Sequence, residues 1–481
     1  MESAQFQEAS PVFAIFEAIS AIPRGSGNEA AIAAWLLDFA HVKGWQGQRD
    51  AAGNVLLRVA GNAGRETHKP LVVQAHMDMV CEKLPNSAHD FERDPLRIGI
   101  DGDWLRAEGT TLGADDGIGM ALALALAQDE MLAHPPLELL FTVQEETNLV
   151  GAQKLDASLI RGRRLLNIDS ETEGIFTIGC AGGRTSHLEL PLVRETVPLE
   201  GHTIVCLSLG GLQGGHSGMD IGKGRGNANK ILARALTLLA EQTNLRLLTF
   251  NGGSRSNVIP DRAEALVAIT DPKRAAECIA RFAQEITSEF GGEDTTPHLT
   301  FEECVCDTPP LVESCNAAVL RLLEEMPDGV HQYEENGLIR TSNNCAIVSC
   351  KDDTLWIESL QRSSQTAQLD ALTGRIAALA ESIGARIESN EGYPAWEPRF
   401  DSALLDICQA SYRALYGKEA QVEVTHAGLE CGALSAHFPD MEMISLGPDI
   451  ENPHSPWERL RISSVVKVWR LLQHVVEHLK G

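Results

Sequence analysis

Three short apolar runs constrain this fold more than any other feature of the sequence. They cover residues 70–75, 137–143 and 165–168, and none shows the strict polar–apolar alternation of a half-exposed strand. Helical segments separate them, of which 117–128 is rich in Ala, Leu and Met. Buried strands that alternate with helices are typical of a mostly parallel sheet covered by helices on both faces. We therefore expect an α/β domain.

The pattern changes twice along the chain, which predicts an inserted second domain. From about residue 186 the strands alternate more clearly, and a Gly/Pro-punctuated linker at 391–398 precedes a return to the α/β pattern. A chain of 481 residues also exceeds what one ordinary core accommodates. We expect a catalytic domain formed by residues 1–185 and 394–481, interrupted by an α+β lid or dimerisation domain at 186–393. The insert indicates a doubled unit, although no sequence repeat establishes it.

The overall charge and the absence of targeting patterns narrow the partners and the location. A formal net charge of −27 repels phosphate backbones and anionic lipid, so we expect no nucleic-acid or membrane partner. Residues 1–8 lack the basic and apolar regions of a signal peptide, and the longest apolar stretch, around 120–127, is far shorter than a membrane span. The eleven cysteines form no Cys-x-x-Cys pair, as expected for reduced thiols. We predict a cytoplasmic protein.

Polar residues stand where the three apolar runs end, which is where sites form in open α/β sheets. His76 and Asp78 share one face of an extended chain, so Asp78 can orient the His76 ring as carboxylates do behind metal-bound histidines. Glu145 and Glu146 follow the second run, and Asp169 follows the third. Each motif alone has a structural alternative, because His-x-Asp pairs are common and paired glutamates suit a solvated loop.

Two further segments offer metal ligands. Asp115 and Asp116 lie between a Gly turn and a helix start, where either acid suits a cap but two exceed what one cap requires. His454 lies in a Pro-rich loop, where an isolated histidine is often only a surface residue. Taken together, mixed histidine and carboxylate ligands suit zinc, with cobalt or manganese as substitutes. Their number predicts two metals that share a bridging carboxylate and a water molecule.

Longer motifs carry a resemblance to a known family along essentially the whole chain. The sequence resembles the bacterial aminoacyl-histidine dipeptidases, also called peptidase D or carnosinase-like Xaa-His dipeptidases. These enzymes belong to the two-zinc metallopeptidases that include carboxypeptidase G and the aminoacylases. The motifs are HMDMV, TTLGADDGIGMA, the strand-ending EE, NIDSE, GGHSG, NGG-x-x-SN-x-IP, HAGLECG and GP-x-x-x-x-PHSP.

The resemblance implies two zinc ions bridged by Asp115. It assigns His76 and Asp169 to one ion, and Glu146 and His454 to the other. It also implies a cis peptide bond after Asp115.

The resemblance further implies two catalytic residues: Glu145 is the general base and acid, and Asp78 acts by orienting His76. In the proposed reaction Glu145 removes a proton from the zinc-activated bridging water and later protonates the leaving amine.

The predicted lid supplies substrate-binding residues by the same resemblance. His216 is the implied oxyanion donor, acting either from the same chain or from a partner subunit. Asn257 and Arg362 match positions that hold the substrate carboxylate, for which a guanidinium is well suited. The HAGLECG motif adds His426 and Glu430, and we hypothesise that Glu430 pairs with the free α-amine.

The predicted function is hydrolysis of unblocked dipeptides, especially Xaa-His such as β-Ala-His (carnosine), by a homodimer. A related deacylase, tripeptidase or carboxypeptidase is the alternative on the same scaffold. An inactive metal-binding scaffold is the non-enzyme alternative, but such a protein should have lost Asp78 or Glu145 first, and both are present.

Overall fold

The chain divides into two units in a computed structural model, which describes residues 7–147, 149–196, 200–292, 295–335 and 337–480. The first unit comprises Met1–Cys180, Trp396–Val424 and Leu429–Gly481, and the second comprises Ala181–Ala395 with Thr425–Gly428. The short segment 425–428 therefore joins the second unit, although the sequence places it inside the predicted C-terminal part of the first.

The first unit contains twelve of the strands in the described part of the chain. They are Gln46–Arg49 (β1), Val55–Val59 (β2), Leu71–His76 (β3), Ile98–Asp101 (β4), Trp104–Ala107 (β5), Leu137–Thr142 (β6), Arg164–Asn167 (β7), Ile175–Cys180 (β8), Gln421–Thr425 (β20), Glu442–Ser445 (β21), Ile450–Glu451 (β22) and Arg459–Arg461 (β23). Its helices are Ser10–Ser20, Ala30–Val42, Ala114–Gln128, Val150–Gln153, Ala403–Tyr416, Glu430–His437 and Ile462–His478, with a 3-10 turn at Ala157–Leu159.

The main sheet of this unit has the order β1-β2-β6-β3-β7-β21-β8-β20. Its central strands β6, β3, β7 and β21 run parallel, as the apolar runs predict. The pairs β1–β2, β2–β6 and β8–β21 are antiparallel, so the sheet is mixed. The short β1–β2 connection accounts for one reversal, because parallel neighbours need a long crossover. The strands β22-β23-β5-β4 form a separate small sheet.

Both faces of the main sheet are covered by apolar side chains. Successive residues of a strand alternate between two clusters: Leu57 and Val73 belong to one, whereas Leu56 and Val72 belong to the other. The helix Ala114–Gln128 packs against β3 in the larger cluster and is buried along its whole length from residue 117 to 127. Burial of both faces explains why these strands read as continuous apolar runs.

The second unit is built on one long sheet, and two of its short strands form a separate two-stranded sheet. Its strands are Gly182–Pro191 (β9), Thr203–Gly210 (β10), Gly215–His216 (β11), Leu245–Gly252 (β12), Val258–Ile259 (β13), Ala263–Ile269 (β14), His298–Glu303 (β15), Gly329–Tyr333 (β16), Ile339–Lys351 (β17), Thr354–Ser363 (β18) and Arg386–Ser389 (β19). Its helices are Ala228–Gln242, Pro272–Phe290, Glu313–Glu325 and Thr366–Ser382.

The strand order shows that the second unit is doubled. The sheet runs β15-β10-β14-β12-β17-β18-β9-β19. Counted from the two edges towards the centre, β15, β10, β14 and β12 of one half correspond to β19, β9, β18 and β17 of the other. Each half has the succession strand, helix, two strands, helix, strand, and the halves meet where β12 and β17 pair antiparallel. The half that contains β10 is inserted after β9 of the other half. This interruption leaves no continuous repeat in the sequence.

Among the described residues, none of the helices combines the length and the apolar character that crossing a bilayer requires.

Candidate metal centre

The candidate ligands converge because three neighbouring parallel strands end at one edge of the main sheet. The strand β3 ends at His76 and lies between β6, which precedes Glu145 and Glu146, and β7, which precedes Asp169. Parallel strands present their carboxyl ends together, so the side chains that follow them meet. In the structure, ligand atoms of His76, Glu145 and Glu146 lie within 4.8 Å of one another, and Asp169 lies 3.3 Å from His76. Their role as metal ligands stays a prediction.

His76 presents one ring nitrogen to this cluster. Its Nε2 atom lies 3.0 Å from Oδ1 of Asp115 and 3.3 Å from Oδ1 of Asp169. Its Nδ1 atom lies 3.0 Å from the carbonyl oxygen of Asp78, which can only accept a hydrogen bond. Both ring nitrogens thus face acceptors, and although burial opposes it, the carboxylates raise the pKa of His76 well above its ordinary value. A cation at Nε2 would replace the proton there and leave the Nδ1–H bonded to the Asp78 carbonyl.

His454 makes the matching arrangement on the other oxygen of Asp115. Its Nε2 atom lies 3.0 Å from Oδ2 of Asp115 and 3.0 Å from Oε2 of Glu146. Asp115 thus lies between two His–carboxylate groups and offers one oxygen to each. This division is the geometry of a bridging ligand.

The neighbouring acid, Asp116, has a different role. Its Oδ1 atom accepts a hydrogen bond of 3.1 Å from the backbone N–H of Gly119, and its Oδ2 atom accepts one of 3.2 Å from that of His76. Asp116 therefore caps the following helix while Asp115 faces the cluster, which resolves the ambiguity of the paired acids. The peptide bond between Asp115 and Asp116 is cis, as the resemblance implies.

Asp78 connects the end of β3 to the segment that carries the two glutamates. Its side chain is fully buried, and its Oδ1 atom lies 3.5 Å from Nδ1 of His76. It accepts backbone hydrogen bonds of 3.0 Å from Glu145 and 3.3 Å from Glu146, and a hydroxyl hydrogen bond of 2.8 Å from Ser26. The Asp78 carboxylate thus holds the backbone of both glutamates, whereas the nearer partner of the His76 ring is the Asp78 carbonyl oxygen.

The electrostatics of the cluster are those of carboxylates crowded together without enough positive charge. Burial raises the pKa of Glu145 well above its ordinary value, with neighbouring carboxylates adding to the rise. Burial and Asp115 likewise raise the pKa of Asp169 to about 6 and that of Glu171 to about 8. Although burial opposes the charge on His454, Asp115 and Glu146 raise its pKa to about 11.

The donor set fits cations. Within the described residues, the ion-pair partners of Asp115, Glu146 and Asp169 are histidines, and neither Lys nor Arg pairs with them. The Oε1 atom of Glu146 is buried without a hydrogen-bond partner. Three overlapping groups hold ligand atoms within 4.8 Å of one another, namely His76–Asp116–Asp169, His76–Glu145–Glu146 and Asp115–Glu146–His454. Divalent cations would supply the missing positive charge.

The second unit places His216 and Asn257 on one β-ribbon. The strand β11 ends at His216 and pairs with β13, which follows Asn257, and the Ser217 N–H donates to the Asn257 carbonyl at 2.8 Å. The Nδ1 atom of His216 accepts backbone hydrogen bonds of 3.2 Å from Gly218 and 3.1 Å from Met219. The neutral His216 ring therefore carries its proton on Nε2, which makes that atom a hydrogen-bond donor.

Arg362 and His426 belong to a second group in the same unit. Arg362, on β18, is only 4% exposed, and its Nη1 atom donates to the Tyr393 hydroxyl at 2.6 Å. The Nε2 atom of His426 lies 2.7 Å from Oγ of Ser342, which pairs in register with Arg362. Burial and the nearby Arg362 lower the pKa of His426 to about 3, so this histidine is neutral.

Comparison with known proteins identifies the family. Residues 72–478 match the model of peptidase family M20/M25/M40. The chain is also 39% identical over 473 residues to the cytosol non-specific dipeptidase of Escherichia coli strain K12, covering 98% of this chain and 97% of that protein. The chain belongs to peptidase family M20/M25/M40.

Solved structures agree with this membership. The aminoacylhistidine dipeptidase of Vibrio alginolyticus matches with a TM-score of 0.89 and 36% identity, covering 100% of this chain and 99% of that chain. A tripeptidase of Staphylococcus aureus matches with a TM-score of 0.57 at 17% identity, with 97% of each chain covered, which shows a shared fold only.

One substrate residue predicted for this M20 peptidase lies deeper than expected. Glu430 has no exposed surface, and its Oε2 atom accepts hydrogen bonds of 2.6 Å from Gln74 and 2.7 Å from Thr142. Burial raises the pKa of Glu430 to about 8. Pairing of Glu430 with the α-amine therefore stays a hypothesis, for a residue that the structure shows to be buried and already hydrogen-bonded.

Sequence reasoning missed three charged residues near the candidate metal centre of this M20 peptidase. Arg24 and Glu458 are buried and hydrogen-bonded to the backbone that carries the ligands. Glu171 lies two residues beyond Asp169, and that spacing on an extended segment was the available signal. Glu458 lies four residues beyond His454, but neither it nor Arg24 belongs to a pattern that marks it.

Proposed function

We propose that this chain is a metal-dependent dipeptidase that hydrolyses unblocked dipeptides, with Xaa-His dipeptides such as β-Ala-His among them. The observation that carries the proposal is the position of Asp115, with one oxygen 3.0 Å from Nε2 of His76 and the other 3.0 Å from Nε2 of His454. A carboxylate whose two oxygens face two different histidines supports a centre of two cations. Zinc is the proposed metal, with cobalt or manganese as substitutes.

The proposed ligand sets follow the distances within the cluster. His76 and Asp169 would hold one cation and Glu146 and His454 the other, with Asp115 shared between them. Such cations supply Lewis acidity, which lowers the pKa of water and polarises the scissile carbonyl.

Glu145 is the proposed general base. Its backbone is fixed by the 3.0 Å hydrogen bond to Asp78, and a ligand atom of its carboxyl group lies within 4.8 Å of those of His76 and Glu146. We assign to this carboxylate the transfer of a proton from the attacking water to the leaving amine. Asp78 touches no reacting atom in this scheme and is a positioning residue.

The second unit offers groups with the chemistry that the ends of a dipeptide require. We propose that Arg362 binds the substrate carboxylate together with Asn257, since a guanidinium provides paired donors for it. The Nε2–H of His216 is the proposed donor to the oxyanion. His426 is neutral and adds a further polar side chain beside Arg362.

The named relatives support a dipeptide as the substrate. The protein of Escherichia coli is named a cytosol non-specific dipeptidase, and that of Vibrio alginolyticus an aminoacylhistidine dipeptidase. We infer from the first name that the range of dipeptides extends beyond Xaa-His, and we propose a cytoplasmic location. A homodimer stays a prediction.

A substrate panel tests the proposal against its rivals. Metal-loaded protein should release histidine from β-Ala-His and Gly-His, and should leave N-acetyl-histidine and tripeptides largely intact. Preference for N-acetyl-histidine would indicate a deacylase, and preference for a tripeptide would indicate a tripeptidase. A protein that binds metal yet hydrolyses none of these would be the inactive scaffold.

A further inference from the structure

One buried glutamate holds the backbone that carries the bridging aspartate. The Glu458 carboxylate accepts backbone hydrogen bonds from Leu112 at 2.7 Å, Gly113 at 2.9 Å, Ala114 at 2.7 Å and Asp115 at 3.3 Å. Its Oε2 atom accepts from Leu112 and Gly113, and its Oε1 atom accepts from Ala114 and Asp115. Glu458 is only 3% exposed, so water does not compete for these donors.

The segment 112–115 needs such a partner because it is not regular helix. Gly113 has a left-handed φ of 63°, and Asp115 has non-helical backbone angles although the helix Ala114–Gln128 begins beside it. The first amides of a helix have no carbonyl partners within it. A buried carboxylate that accepts the amides of Ala114 and Asp115, together with those of Leu112 and Gly113 before the helix, fixes one conformation of the segment.

Arg24 holds the same segment from another direction. Its Nη1 atom donates to the carbonyls of Met77 at 2.9 Å and Asp78 at 2.8 Å, and its Nη2 atom donates to the carbonyl of Gly113. Arg24 is only 1% exposed. It therefore joins the backbone that follows His76 to the backbone that precedes Asp115.

Glu458 also connects two of the three proposed ligands of the second cation, His454 and Asp115. It follows His454 by four residues, and its own N–H donates to the Ser455 carbonyl at 3.0 Å. One short loop thus carries both His454 and the carboxylate that fixes the backbone of Asp115. Displacement of Glu458 would change the separation of His454 from Asp115.

We propose that Glu458 is a positioning residue of the metal centre, which pre-forms the Asp115 segment before any cation binds, with Arg24 as its counterpart. This inference rests on the proposed metal centre. Glu458 itself ligates no metal. Its effect passes through the four backbone amides.

Glu458→Gln tests the role, because the amide nitrogen cannot accept the two N–H groups that one carboxylate oxygen now accepts. Glu138→Gln is the matched control. Glu138 is 2% exposed and accepts the backbone N–H groups of Arg161 and Gly162 at 2.9 Å each, at the opposite end of the parallel strands. Both variants remove the charge of a buried glutamate that accepts backbone N–H groups. Only Glu458→Gln must leave two N–H groups without an acceptor, because the two groups at 2.9 Å from Glu138 share one oxygen, which the amide oxygen of Gln can replace.

Zinc binding to chelator-treated protein is measured by competition with a chromophoric chelator. We expect wild type and Glu138→Gln to bind two equivalents with equal affinity, and Glu458→Gln to bind at least one of them roughly tenfold more weakly or worse. Equal affinity in Glu458→Gln and wild type would overturn the positioning role. Failure of the wild type to bind zinc would instead overturn the proposed metal centre.

Hydrogen exchange measured on the wild type is a second test, and it does not depend on whether a variant folds. The amides of residues 112–115 should be protected in metal-free protein and gain little protection when zinc is added. Rapid exchange without zinc that becomes slow with zinc would show that the cation, rather than Glu458, organises the segment, and would overturn the proposal.

Discussion

The Nε2 atom of His454 lies 3.0 Å from Oδ2 of Asp115, across 339 positions of sequence. The proposed second cation therefore depends on residues from the first and the last of the three segments of the first unit, and the entire second unit lies between these two segments in the chain. The proposed first cation depends on His76 and Asp169, both of which precede the insertion. This difference makes the two sites separable by mutation.

His454→Ala should reduce the bound zinc from two equivalents to one. The variant removes a ligand from one set and leaves the contacts among His76, Asp115 and Asp169 in place. Metal analysis after equilibrium dialysis measures the change. Asp115→Ala is the comparison and should weaken both sites, because each oxygen of Asp115 faces a different histidine. Two tightly bound equivalents in His454→Ala would contradict the ligand assignment.

Glu145→Gln should retain the metal and lose activity. A positioned general base contributes about 10²- to 10⁴-fold to rate, so kcat for Gly-His should fall by roughly that factor. Zinc content and kcat are measured on the same preparation. Glu146→Gln serves as the matched variant, since it replaces a proposed ligand and should lose zinc as well as activity. Equal zinc loss in both variants would remove the distinction between base and ligand.

Arg362→Ala should weaken the hydrolysis of dipeptides that have a free carboxylate. A charged hydrogen bond contributes about 1.5–3 kcal/mol, which corresponds to a loss in kcat/KM of roughly 10- to 100-fold for Gly-His. The amide of Gly-His lacks that charge, so the variant and the wild type should hydrolyse it at similar rates. An equal loss on both substrates would indicate structural damage, for which circular dichroism is the control.

Asp328→Asn should change how stability depends on pH. Burial raises the pKa of Asp328 to about 6, although the N–H of Cys345 and the side chain of Asn227 donate to it. A carboxyl with a raised folded pKa favours the folded state below about pH 4, and this contribution is lost as pH rises through 6. The wild type should therefore lose up to about 3 kcal/mol relative to Asp328→Asn between pH 4 and pH 7.

Urea unfolding at several pH values between 4.5 and 7.5 measures this difference. The exposed Asp307 provides the control, since Asp307→Asn should follow the wild type throughout the range. A constant difference between wild type and Asp328→Asn would contradict the assigned titration.

The sequence predicted the α/β class and the meeting of the ligands because both depend on local patterns. Buried parallel strands produce apolar runs, and residues placed directly after such runs, as His76 and Asp169 are, must share an edge of the sheet. His454 does not directly follow one of these apolar runs, so its assignment as a ligand was predicted from the resemblance. The metal-binding and catalytic roles of all these residues stay predictions.

The features that were missed depend on tertiary contacts. Arg24 and Glu458 act through backbone groups that are distant in the chain, with separations of 89 and 346 positions for the hydrogen bonds to Gly113 and Leu112. Nothing in the sequence distinguishes Glu430 from an exposed glutamate, and only the fold shows that it is buried and accepts hydrogen bonds from Gln74 on β3 and Thr142 on β6.

The doubling of the second unit was hidden by its topology. One half is inserted into the other. The equivalent strands β9 and β10 are therefore adjacent in the chain, whereas β9 is separated from the other strands of its own half by the whole inserted half. Sequence periodicity detects tandem repeats, and this arrangement is not tandem.

Zinc titration of chelator-treated protein, with hydrolysis of Gly-His followed at each addition, tests the central claim most directly. We predict no hydrolysis without metal and a rise to a plateau at two equivalents of zinc per chain. Full activity in the absence of metal, or with zinc bound to His454→Ala at one equivalent, would contradict a two-cation centre bridged by Asp115.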